Sequence, residues 1–351
     1  MTTINQQIFD KSLSHQSNVV DFAGTNANVL SDTLIGIYII KELRALILSF
    51  LAEYSTGDNF NFLLQKNLSA LNRLEKDITR LRKSQYDSIQ KQTLSLIKDF
   101  IKEEKETQQD IIYGDYYKPE IPTNASVYNY FLAMMIVGNL FTDNFDIASN
   151  ADIKRITQTL RYGLSQNQTN TEIVNSITGT QQNKYQDGVL NTSVNQLNSV
   201  VNSSIIAAQS AVIDNFNILN TSGLVMYGQF VAVLDSRTSV ICQTLSGKEG
   251  KYEDLPHPPL HPRCRSHIAV YFKRMTGVSK ANLGGVPRES DYMQWLKKQN
   301  EQTQIAVLGE KRTELLGENK LTVSDFYTRN GDLLTLNELY RKYDIISSSV
   351  N

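Results

Sequence analysis

Leu190, Val194, Leu197, Val201, Ile205, Ala208, Val212 and Phe216 recur at three- and four-residue steps, and this run restricts the fold more tightly than any other pattern in the chain. On an α-helix those positions form one apolar stripe about seven turns long. Other segments must therefore supply the surface that covers it.

Several of them carry the same period. Ile153, Ile156, Leu160 and Leu164 make a second stripe, with Gly163 expected to help end that helix. Thr169 and Glu172 have the spacing of a capping box and predict a short helix through Ile173 and Ile177. Upstream, residues 31–53 read as an apolar helix. Residues 62–106 read as a long amphipathic one, with Leu64, Leu68, Leu71, Leu74, Ile78 and Leu81 on one side. Its Arg73, Lys76, Arg80, Arg82 and Lys83 form a locally basic face, read first as a solvated surface and second as a contact for DNA or an acidic partner. Residues 291–299, 303–316 and 335–343 also read as helices, the last opened by a Thr335–Glu338 capping box, and Trp295 is expected to be a packing anchor. Gly277, Gly284, Gly285 and Pro287 mark the loops before them.

Residues 1–29 are polar and Asn-rich, which predicts an arm without a core of its own, laid on a partner surface. Pro119 and Pro122 break the chain, and Asn124 or Ser126 is placed to cap an apolar helix that follows. At 351 residues the length suits about two domains of ordinary size. The boundaries fall after a helical N-terminal domain, 1–140, and between a module over 150–275 and a helical extension over 276–351. The expected class is α+β, predominantly α-helical.

Two stretches approach the length of a membrane span. Residues 33–51 carry Lys41, Glu42 and Arg44 at their centre, each costing about 3 kcal/mol in a bilayer. Residues 127–141 are uncharged but too short. Both are read as buried helices. Lys and Arg total 35 against 36 Asp and Glu, so bulk charge gives no attraction to nucleic acid. Residues 1–10 lack the basic and apolar regions of a secretory signal, and two cysteines are too few for a disulfide scaffold, so a reducing cytoplasm is the expected place of synthesis.

The residues suited to specialised chemistry concentrate in 229–272. Both cysteines, Cys242 and Cys264, lie there, with His257, His261 and His267, three of the four histidines, and Pro256, Pro258, Pro259 and Pro262. Phe230 to Leu234 reads as a buried strand ending in an Asp-Ser-Arg-Thr turn, and Ile268 to Phe272 as the returning strand. The prolines predict an extended, polyproline-like connection, in which residues three apart, such as His261 and Cys264, face one point.

LDSRTSVICQTLSGK followed by PPLHPRCRS resembles the signature of the MuF-like minor head proteins of tailed bacteriophages, the head-morphogenesis family. The matching positions are Asp235, Arg237, Thr238, Cys242, Gly247, Lys248, Pro259, His261, Cys264, Arg265 and Ser266. His257 and His267 fall outside the pattern. Weaker helical similarity extends upstream to about residue 150, and the segment after 291 is similar to a C-terminal extension that some of these proteins carry. The resemblance implies a structural component of the virion, made in a bacterial host and built in at or near the portal vertex. Its partners would be the portal or major capsid protein and packaged DNA, with copies repeated in a ring, and its tasks would be head assembly, DNA packaging or ejection. It implies no enzyme. An internal protein ejected with the DNA is the alternative.

Several readings of the cluster stay open. Cys242, His257, His261 and Cys264 offer the thiolates and imidazoles of a tetrahedral structural zinc site, although the spacing is not that of a standard finger. Cys242 and Cys264 are also candidates for a direct contact or a disulfide. His261 and Arg265 are equally suited to bonding loop carbonyls and Asp235, with Asp235, Arg237 and Arg265 as an ion-pair staple. Cys264, His261 and Asp235 also have the types of nucleophile, base and orienter, or of a metal-dependent enzyme.

Overall fold

A computed structural model describes residues 2–54, 60–222, 224–286, 291–318, 321–328 and 332–343, so Pro287 lies outside the described residues. It is 67% helical with one three-stranded antiparallel sheet, which makes the fold a predominantly helical α+β. Two compact units emerge, one from 1–19, 104–123 and 209–351 and the other from 20–103 and 124–208.

The chain opens with α1 (Ile4–Asp32), where an unstructured arm is expected from composition. Its inward stripe explains the difference: Ile8, Val19, Ala23 and Ala27 are buried at helical steps, but Asn5, Ser12 and Gln16 are buried among them. Polar residues on the inner face dilute the apolar period without breaking the helix. A 3-10 turn, Thr33–Ile35, and an extended Gly36 then separate α1 from α2 (Ile37–Tyr54), so the apolar helix starts several residues later than its composition suggests. Next comes α3 (Gln65–Ile112). Leu71, Leu74 and Ile78 of its stripe are buried, whereas Leu64 precedes the helix and is exposed. Arg82 departs from the expected basic face, being fully buried with its Nε 2.6 Å from Asp152 Oδ2.

Residues 127–141 do not form one helix. α4 (Asn124–Ala133) stops, Val137 and Gly138 take positive φ in a tight turn, and α5 (Phe141–Ser165) begins after it. Gly163 does not end α5 either. A Cβ there would lie 2.5 Å from Ile173 Cγ1, so glycine permits the close approach of α6 (Asn170–Thr178). The Thr169–Glu172 capping box is formed at the start of α6. Leu43, Ile47, Leu71, Ile156, Leu160 and Ile173 are among the residues that close this unit's core.

α7 (Val189–Asn220) buries all eight positions of its predicted stripe. In the other unit, β1 (Met226–Val231) is followed by α8 (Val240–Leu245), β2 (Glu249–Lys251) and β3 (His267–Phe272), in the order β2-β1-β3. β1 therefore starts earlier than its apolar run, and β2 is too short and polar to be read from sequence. Register runs from Met226 opposite Phe272 to Val231 opposite His267. Asn5 of α1 continues the edge of β3, its Nδ2 donating to Phe272 O at 2.8 Å and its Oδ1 accepting from Phe272 N at 3.0 Å.

After the sheet come α9 (Lys280–Leu283), α10 (Tyr292–Lys297), α11 (Glu301–Leu308), α12 (Glu310–Gly317) and α13 (Leu336–Lys342). The helix expected over 303–316 divides at Gly309, where φ is 79°. The Thr335–Glu338 box is formed, and the partly buried Trp295 packs against this cluster, 5.1 Å from the Tyr292 ring. Among the described residues no helix is long and apolar enough to cross a membrane.

Candidate metal centre

The loop leaving β1 is shaped by Asp235. Its Oδ1 accepts the Arg237 amide at 2.9 Å and the Thr238 hydroxyl at 3.2 Å, an Asx-type turn. Thr238 Oγ1 also donates to Val233 O. Ser239 then caps α8, accepting from Cys242 N at 3.4 Å, and this turn of helix presents the Cys242 thiol inward. Thirty residues on, Arg265 returns to Asp235 with a two-pronged bond of 2.6 and 2.7 Å. Burial alone would raise the Asp235 carboxyl, but Arg265 and the Arg237 amide outweigh it and bring it down to about 2. Arg237 is 81% exposed and touches the carboxylate at only 3.3 Å, so the staple is Asp235 with Arg265.

His261 and Cys264 come together through a tight turn, not a threefold extended repeat. Cys264 N donates to His261 O at 3.1 Å and Arg263 takes a φ of 58°. Cys242 Sγ lies 3.2 Å from His261 Nε2 and 3.7 Å from Cys264 Sγ, and the three donor atoms all lie within 4.8 Å of one another. The cysteines are free thiols and both are buried.

This donor set fits a zinc ion. With Zn–S near 2.3 Å, tetrahedral geometry puts two thiolates about 3.8 Å apart, close to the separation seen. His261 Nδ1 lies 2.9 Å from Pro262 O, a bond that puts the ring proton on Nδ1 and leaves the Nε2 lone pair facing the sulfurs. The two thiols also influence each other. Hydrogen bonding from Cys242 pulls Cys264 well below the ordinary thiol range, and the bond to Cys264 pushes Cys242 up in turn. A proton on Nε2 shared with Cys264 raises His261, and a bound zinc would take that proton's place.

His257 is not brought to this group. Its Nδ1 is 2.7 Å from Asp214 Oδ1 and its Nε2 2.9 Å from Tyr252 O. Both ring nitrogens face acceptors, an arrangement that favours the doubly protonated imidazolium. Burial opposes that charge, and the bond to Asp214 raises the ring above its usual value nonetheless. The four-ligand set expected from sequence is therefore three ligands and one open position. A Cys264–His261–Asp235 relay is not assembled either, since His261 is oriented by Pro262 O and both Asp235 oxygens serve Arg265.

Gly247 and Lys248, also motif positions, act through their backbone. Gly247, at φ 83°, donates to Phe230 O and Lys248 O accepts from Phe230 N, both at 2.8 Å, which seats the loop on β1. Other braces lie outside the motif. Ser210 donates to Pro258 O at 2.6 Å, and Asp214 accepts from Tyr252 OH at 2.7 Å. Tyr292 OH donates to Asp235 O at 2.8 Å, and Tyr327 OH to Gln243 Oε1 at 2.5 Å. The one signal for these in sequence was Ser210 and Asp214, polar residues four apart beside the apolar stripe of α7. The chain matches no family model, no curated protein and no solved structure.

Proposed function

We propose that this protein is a structural minor head protein of a tailed bacteriophage, seated in several copies at or near the portal vertex, with a zinc ion held by Cys242, His261 and Cys264. The observation that carries this reading is the convergence of the motif. Asp235, Thr238, Cys242, Gly247, His261, Cys264 and Arg265 spend their polar groups on one another and on loop backbone. The result is a braced knot, and both sulfurs are almost wholly shielded from solvent, Cys242 at 1% and Cys264 at 0% exposure. A nucleophile needs access, whereas a docking module needs a loop of fixed shape. Zinc held by these three side chains would lend folding energy to the loop. Portal or capsid subunits would be the surface on which this shape docks.

Cryo-electron microscopy of the intact virion, without imposed icosahedral symmetry, tests the assignment. Ordered density for this chain ringing the portal is the expected result. Absence from every vertex, with the protein present by mass spectrometry and lost from emptied particles, would replace it with a cargo protein ejected with the DNA.

A further inference from the structure

Register places Tyr227 and Lys273 at the end of the sheet away from the Cys/His loop, since Met226 pairs with Phe272 there and Val231 with His267 at the other end. A groove of about 440 Å³ opens beside them, between the turn after α7 and the residues that follow β3. Its polar wall is Lys273, Arg274, Thr221, Ser222 and Thr276, all exposed, and no carboxylate lines it among the described residues. Its other wall is Tyr227, half-buried, and Val225, 53% exposed. Lys273 Nζ sits 4.1 Å above the Tyr227 ring, which holds the ammonium at the mouth of the groove.

The geometry points to a binding site for a nucleic-acid strand, with Lys273, Arg274 and the hydroxyls on the phosphodiester and the Tyr227–Val225 wall against sugar and base. The volume lies in the range of small-ligand sites, about 300–1,000 Å³, and suits a short section of a strand. One feature opposes an anion here: α7 ends at Asn220 and directs its carbonyls this way. A helix C-terminus carries only about half a negative charge. The two full positive charges of Lys273 and Arg274 outweigh it. Two of the cations on α3 are less free, because Arg82 is buried against Asp152 and Arg80 pairs with Asp77 at 3.3 Å. Nothing in this geometry depends on the assembly role.

The test is fluorescence anisotropy of the full chain with a labelled oligo-dT strand, titrated between about 50 and 200 mM NaCl. Both cations are exposed, so Lys273→Gln with Arg274→Gln leaves the fold intact, which circular dichroism verifies. The double variant is expected to weaken binding at least about tenfold and to reduce the slope of log Kd against log salt by about 1.4, roughly 0.7 for each lost phosphate contact. Lys76→Gln with Lys83→Gln on α3 is expected to change neither. An unmodified protein that does not bind overturns the proposal, as does a double variant with unchanged affinity and slope or an α3 variant that loses as much. Displacement of the strand by inorganic phosphate, beyond the effect of chloride at equal ionic strength, would reassign the groove to free phosphate.

Discussion

Arg265 holds Asp235 with both prongs of its guanidinium, Nη1 to Oδ2 at 2.6 Å and Nη2 to Oδ1 at 2.7 Å, across thirty residues of chain. Lysine can satisfy only one of these bonds. Arg265→Lys is expected to cost about 1–2 kcal/mol in urea unfolding at neutral pH, a partly exposed pair being worth less than a buried one. The folded carboxyl lies below its unfolded value near 3.9, so the stabilisation is full above pH 4 and lost as pH falls toward 2. A variant as stable as the parent at pH 7 would show that the staple does not hold the loop.

Zinc content separates the histidines. Purified protein is expected to carry about one zinc per chain, since the three donor atoms converge on a single point. His261→Ala and Cys264→Ser should lose it, and His257→Ala should keep it because that ring is turned to Asp214 and Tyr252. Elemental analysis of the variants, with thermal melts before and after chelation, gives the answer. Equal zinc in His261→Ala and the parent would remove the site.

The same two units of chemistry, imidazole and proton, have opposite effects at His257 and His267. His257 is raised in the folded state, so its contribution is complete below the unfolded value near 6.5 and disappears as pH rises through the folded value. His267 on β3 is wholly buried, and burial depresses it to about 3. The unfolded chain alone takes up that proton between pH 6.5 and 3, so stability falls with acid by up to about 1.4 kcal/mol per pH unit. Urea titrations at pH 5 and 7.5 should find His267→Phe less acid-sensitive than the parent and His257→Asn more so. The reverse order would contradict both environments.

Buried charge makes a further case at Arg82 and Asp152, each 0% exposed. Asp152→Ala leaves a guanidinium without its anion and should cost about 3–5 kcal/mol. Arg82→Met with Asp152→Leu should recover most of that loss. Additive losses in the double variant would mean that the two charges do not interact.

Gly163 gives a test of close packing. Ala at this position would bring a methyl to 2.5 Å from Ile173 Cγ1, so Gly163→Ala should destabilise by about 1–3 kcal/mol despite alanine's better helix propensity. A stabilised variant would mean that α6 can retreat without cost.

Local patterns carried much of the molecule. The stripe of α7 and the capping boxes at Thr169 and Thr335 were legible because each depends on residues within a few turns of one another. The sequence also gathered Cys242, His261 and Cys264 into one short stretch. It could not exclude His257, whose ring is claimed by an aspartate forty-three positions upstream on α7. Nor could it reveal α1, because Asn5, Ser12 and Gln16 occupy inner positions where apolar residues are expected.

By itself, then, the sequence determined where the capped helices after Thr169 and Thr335 begin, which stripe of α7 turns inward and where the reactive side chains cluster, since these follow from propensity, period and spacing along one segment. The tertiary structure alone decided which distant segments share a compact unit, that Arg265 closes on Asp235 and that Arg82 points inward. Those outcomes depend on burial and on the need of every buried charge for a partner, and the partner is supplied by parts of the chain that no local pattern connects.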